Sequence, residues 1–273
     1  MAPPEQPGPV ARGRGGADEG GPRRPADGWA WLLLAVAGFV VGQVAALVVV
    51  GVAAAIEGKS GQLAMIETLA SPPDWYIGSS LVGIWCGFAL GPLVASRLRG
   101  TRSVVTDLGL RFAWIDLIGI AIGVGGQLLV SVLYAPFIRH LHNFSAPTQK
   151  LTGGAHGWGF FVIAVLTVVG APFFEELFFR GLLLRALLRI TAPDAVSSRG
   201  SRTRWLVVAV VLDAVLFGLA HGELEQFAGL AVFGAILAYV SWRTGRQGMN
   251  MVSHAAFNLV AVLSVVSSRG VVH

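Results

Sequence analysis

The sequence predicts an all-α fold, a polytopic membrane helix bundle of about seven transmembrane helices, with six to eight as the range. Three observations predict it. Of 273 residues, 54% are hydrophobic and only 13% charged, against about 25% charged in an ordinary soluble domain. The apolar residues gather into runs at 29–56, 75–96, 114–138, 158–184, 205–220, 227–242 and 249–267, most of them near the roughly 17 to 25 residues that a helical crossing needs. Lys and Arg, finally, concentrate in every second connection between those runs.

Residues 1–28 are dense in Pro, Gly and charge and cannot bury enough apolar surface to offset the entropy of ordering. They are expected to form a disordered cytoplasmic tail ahead of a membrane domain over 29–273. The first apolar run begins at Trp29 and is too long for the core of a signal peptide, so it is expected to remain as a helix. In the second run Gly83, Gly87 and Gly91 recur every four residues, as Gly119 and Gly123 do in the third. Small residues at this spacing let membrane helices approach closely. The single cysteine, Cys86, lies beside Trp85 and reads as packing material. The fifth and sixth runs are short, which suits helices of little tilt or one broken hairpin.

Cytoplasmic loops retain positive charge. One set of connections holds Arg12, Arg14, Arg23 and Arg24, then Arg97, Arg99, Arg102 and Arg111, then Arg185, Arg189, Arg199, Arg202 and Arg204, and finally Arg243 and Arg246. The other set holds only Lys59, Arg139, Lys150 and Arg269. The expected product is a multi-pass cell-membrane protein with its amino terminus cytoplasmic and its carboxyl terminus outside. The net charge of +5 comes without interleaved aromatics or a recognition motif, so the lipid bilayer, and no nucleic acid, is the expected partner.

Polar groups inside the apolar runs are the informative exceptions, because a charge at the centre of a membrane helix costs about 2.5 to 3.5 kcal/mol on insertion scales. The fourth run contains APFFEELFFRGLLLR. Glu176 and Arg180 are four residues apart and share a helix face, whereas Glu175 points elsewhere. Arg180 is expected to neutralise Glu176, leaving Glu175 to face the bundle interior or a water-filled cavity. The fifth run offers LDAVLFGLAHGE, in which Asp213, Phe217 and His221 share a face, and the seventh offers NMVSHAAFN, with His254 and Asn258 one turn apart. Asp213 reads either as the partner of a catalytic group or as a structural hydrogen bond. His140, His142, His156 and His273 sit in or beside a loop or at the terminus and are given no role.

In order along the late helices, EELFFR fits EExxxR, FGLAH fits FxxxH and HAAFN fits HxxxN. This ordered triple resembles the CAAX-protease and bacteriocin-processing (CPBP, Abi) family of intramembrane proteases and is similar to type II CAAX prenyl endopeptidases. The resemblance covers roughly 158–267, the first three helices being matched in hydropathy alone. It implies an intramembrane endopeptidase with Glu175, His221, His254 and Asn258 as the catalytic set and Glu176 and Arg180 in support. It also implies a peptide or protein substrate, lipidated in some members.

The side chains suit that chemistry. Amide hydrolysis needs a base for water, donors for the oxyanion and a proton for the leaving amine. Glu175 and His221 can supply the base, and His254 and Asn258 the donors. Zinc is the competing arrangement, since Glu175, His221 and His254 form a two-histidine, one-glutamate set with room for water; the sequence leaves zinc and a metal-free glutamate mechanism both open. The same residue types could also build a proton relay, so a proton-coupled transporter and a catalytically silent scaffold are the alternatives. Counting about 1.5 Å per residue along straight helices puts His221 much deeper from the cytoplasmic edge than His254, so either the fifth helix begins well inside the cytosol or the helices are tilted and broken around the cavity, with Pro172 as a candidate kink.

Overall fold

The computed structural model describes residues 25–69, 71–137, 157–191 and 199–270. Residues 1–24 of the expected tail lie outside the described residues, as do His140, His142, His156 and His273. Among the described residues there is no strand. Seven helices are long and apolar enough to cross a membrane: α1 (Pro25–Ile56), α2 (Asp74–Arg99), α3 (Trp114–Tyr134, opening with a 3-10 turn), α4 (Gly157–Thr191), α5 (Arg199–Ala220), α6 (Leu224–Thr244) and α7 (Gly248–Gly270). Large apolar side chains such as Leu33, Leu47, Val132 and Val169 are exposed on the outer surface, which suits a bundle solvated by hydrocarbon.

Glycines set the closest helix approaches. A Cβ on Gly83 would meet the backbone of Ala46, and one on Gly87 would meet Gly38 and Gly42. These contacts zip α1 against α2. Across the bundle Gly119 and Gly123 lie against the backbone of Met249 and Ser253 and so join α3 to α7. The glycine spacing therefore marks packing faces. Cys86 differs from expectation: it is exposed on the outer side of α2, because the inner face of that turn is taken by Trp85, which covers Gly170.

Helix α4 runs seven residues beyond the expected end, since Leu184, Ala186 and Leu187 continue a buried stripe and Arg189 stacks 3.6 Å over the Trp31 ring of α1. Aromatic contacts fix α4 from two sides. Phe178 stacks on Phe88 at 4.3 Å and Phe174 on Trp85 at 4.9 Å, while Phe179 meets Phe217 edge-on at 5.1 Å.

The arginine-bearing connections meet at one end of the bundle. Trp31 Nε1 donates to the Arg99 carbonyl at 3.4 Å and Arg185 Nη2 to the Gly245 carbonyl at 3.1 Å. Arg246 pairs with Asp116 at 2.9 Å, and buried Gln247 donates to the Leu108 carbonyl at 3.2 Å. At the opposite end of the α5–α6 hairpin, Gly222 takes a φ of 68°, a left-handed conformation that glycine adopts without steric cost. That tight turn leaves His221 at the tip of the hairpin.

Candidate active site

Two π-helical turns, Leu166–Gly170 and Phe179–Leu183, bracket the segment of α4 that carries both glutamates. Single π turns inside α-helices are frequent at functional sites. In the first, the Ala171 N–H donates to the Leu166 carbonyl, which deprives the Thr167 carbonyl of its usual partner. The next residue that could serve it, Pro172, has no N–H. Asn258 Nδ2 on α7 fills the vacancy, donating to the Thr167 carbonyl at 2.8 Å.

Beyond this turn the adjacent glutamates face opposite ways. Glu176 points into a fully buried cluster with Arg180, Asp213 and Asn250. Its Oε1 accepts from Arg180 Nη1 at 3.1 Å and from His254 Nδ1 at 2.9 Å, and its Oε2 from Asn250 Nδ2 at 3.3 Å. Arg180 also donates through Nη2 to the Gly234 carbonyl at 3.0 Å and lies 4.4 Å over the Phe217 ring. Its Nε is 3.4 Å from Asp213 Oδ2, close enough for an ion pair but without hydrogen-bond alignment, so both atoms lack a hydrogen-bond partner. A buried charge without compensation costs several kcal/mol, and the cluster's mutual attraction is what holds these charges in place.

Glu175 points into a cavity of about 350 Å³ whose wall includes Thr167, His221, His254 and Asn258. Its Oε2 is buried, has no hydrogen-bond partner, and stands 3.8 Å from Nε2 of both His221 and His254. Both imidazoles are oriented from behind. His221 Nδ1 donates to the Phe217 carbonyl at 2.8 Å, a group that can only accept. His254 Nδ1 donates to Glu176, which already accepts from Arg180. Each ring therefore turns Nε2 toward Glu175, and Phe217 meets both rings edge-on at 4.8 and 5.7 Å.

The donor types suit zinc, and the spacing is slightly wide for it. Bonds of about 2.0 to 2.2 Å at a tetrahedral angle put neighbouring donor atoms about 3.4 Å apart, less than the 3.8 Å found for both pairs. Among the described residues no group of three His, Cys, Asp or Glu is disposed to hold a metal ion.

Glu175, His221, His254 and Asn258 thus come together on one cavity, with Glu176 and Arg180 directly behind it. The straight-helix depths that separated the two histidines are corrected. Helix α5 starts at Arg199, five residues before Arg204, and His221 and His254 stand at the same distance from one Glu175 oxygen. Asn258 differs from the sequence expectation in that one of its amide protons is engaged by the Thr167 carbonyl. Sequence reasoning missed Asn250 as a member of the cluster, although it lies four residues before His254 and shares its face. It also missed the cavity's apolar wall of Phe39, Leu81, Ile84 and Phe88, for which hydropathy gives no signal.

Residues 157–260 match the family model of the type II CAAX prenyl endopeptidases, Rce1-like. No curated protein and no solved structure matches the chain.

Proposed function

From the match of residues 157–260 to the Rce1-like type II CAAX prenyl endopeptidase family model, we propose that this protein is an endopeptidase that hydrolyses a peptide bond in the cavity at Glu175. The observation that carries this is the unpartnered Glu175 Oε2, 3.8 Å from two oriented imidazole nitrogens. The gap is too long for direct hydrogen bonds, and in our reading the reacting water enters between the carboxylate and the two imidazoles.

In this reading Glu175 takes a proton from that water as its oxygen attacks the substrate carbonyl carbon, and His221 Nε2 accepts the water's other hydrogen bond. The oxyanion is placed against Nε2 of His254, whose other nitrogen Glu176 holds, and receives a hydrogen bond from the remaining amide proton of Asn258. As the tetrahedral adduct collapses, the C–N bond breaks and Glu175 returns the proton to the leaving amine. Water ends as the hydroxyl of the new carboxyl group and the added hydrogen of the amine. The lipid bilayer encloses the bundle and a peptide or protein is the substrate; the cavity's aliphatic and aromatic wall favours apolar side chains or an attached lipid.

The test is cleavage of a quenched fluorescent peptide library by protein purified in detergent, with metal content measured on the same sample. Glu175→Gln should insert and fold normally and lose at least about 100-fold in kcat/KM, the scale expected for loss of a general base. His221→Ala and His254→Ala should be similarly inactive. Dialysis against a chelator should leave cleavage unchanged; loss of activity that zinc restores would establish the metal reading instead.

A further inference from the structure

Thr167 carries a feature that neither the fold nor the mechanism above uses. It is 7% exposed, lines the Glu175 cavity, and its hydroxyl has no hydrogen-bond partner. Hydroxyls in helices ordinarily bond back to the carbonyl four residues earlier. In this chain Ser131, Thr191, Thr244 and Ser253 all do so, at 2.7 to 2.9 Å. The Thr167 hydroxyl does not, although its own carbonyl is firmly held by Asn258. The turn is therefore fixed without the hydroxyl, which remains a buried, unbonded donor on a residue that lines the cavity.

A peptide entering that cavity must have its main-chain carbonyls satisfied. Of the side chains that α1 and α2 bring to this cavity, Phe39, Leu81, Ile84 and Phe88 offer no donor, and only Gln43 and Trp85 carry an N–H. We propose that Thr167 is a substrate-binding residue, its hydroxyl donating a hydrogen bond to a main-chain carbonyl of the bound peptide. This rests on the peptidase reading of the same cavity. It makes the first π turn a recognition element: Pro172 and Asn258 fix the turn, and the turn presents Thr167.

The experiment compares Thr167→Val, which keeps the shape and removes the hydroxyl, with Thr167→Ser, which keeps the hydroxyl. Glu175→Gln is run alongside, with thermal stability and library cleavage as readouts. Thr167→Val should be as stable as wild type, because deleting an unbonded buried hydroxyl removes no contact. It should lose about 10-fold in kcat/KM, mostly in KM, the size of one hydrogen bond. Thr167→Ser should cleave nearly as well as wild type. On the Glu175→Gln background the same pair is read by fluorescence polarisation of a labelled library peptide, and only the valine variant should bind more weakly.

A lower melting temperature in Thr167→Val would mean that the hydroxyl has a structural partner, and would overturn the proposal. So would serine and valine variants that lose equally, or a valine variant that cleaves and binds like wild type while Glu175→Gln is dead. Cleavage by Glu175→Gln at the wild-type rate would instead sink the peptidase site itself.

Discussion

Removing Arg180 strands two buried carboxylates, because its guanidinium faces Glu176 at 3.1 Å and Asp213 at 3.4 Å. Breaking one buried pair typically costs about 3 to 5 kcal/mol, so Arg180→Met should lower thermal stability in detergent sharply. Adding Glu176→Gln should restore only part of it, and adding Asp213→Asn as well should restore more. Full recovery without touching Asp213 would contradict a cluster with three charged members. The spacing of Glu176 and Arg180 made their pairing legible in the sequence, since residues four apart on a helix must meet. Asp213 was legible only as a costly aspartate in search of a partner, because that partner lies on another helix and periodicity carries no distance between helices.

Among the elements, the fourth helix is where local sequence and tertiary structure interlock most closely. The Thr167 carbonyl is left without a backbone donor by the π turn and by Pro172, and Asn258 on α7 supplies one. Asn258→Ala should therefore cost about 1 to 3 kcal/mol, the penalty of an unsatisfied buried carbonyl. Pro172→Ala restores an N–H at the position that can reach it. The double variant should then be more stable than the sum of the single effects predicts, by about 1 kcal/mol in a double-mutant cycle read by thermal unfolding. Strict additivity would show that the two residues do not serve the same carbonyl. Helix existence and order were readable from hydropathy, and Pro172 signalled an interruption. That the interruption takes the form of a wide turn, with an asparagine from the last helix closing it, depends on a contact 91 residues away.

For the whole molecule, the alternation of arginine along the sequence becomes a single positively charged end. The arginine-rich connections are tied together there through Arg185, Arg246 and Gln247. If that end is cytoplasmic, as positive charge demands, a reporter fused after His273 should be active only outside the cytoplasm. A cytoplasmic signal would require one crossing more or fewer than the seven candidate spans among the described residues. Crossing number and the closeness of the glycine-bearing faces were both readable, since length and small-residue spacing are one-dimensional. The assembly of one cavity from α1, α2 and the motif helices was not, because lipid-facing and cavity-facing apolar residues are written in the same alphabet.

The backbone contact of Gly83 and Gly87 with α1 has a consequence for how this architecture can diversify. Glu175, His221, His254 and Asn258 all lie within residues 157–260, the stretch that matches the family model, while Phe39, Leu81, Ile84 and Phe88 lie on a helix pair outside it. Joined to each other through glycine backbone, α1 and α2 form a cassette whose inward side chains can vary while the reacting groups stay fixed. If the proposed peptidase reading holds, grafting both helices together from an Rce1-like endopeptidase should change which peptides are cut and leave dependence on Glu175 intact, as cleavage profiling of the chimera would show. Grafting either helix alone should fail to insert stably, because each glycine seam is matched to its own mate.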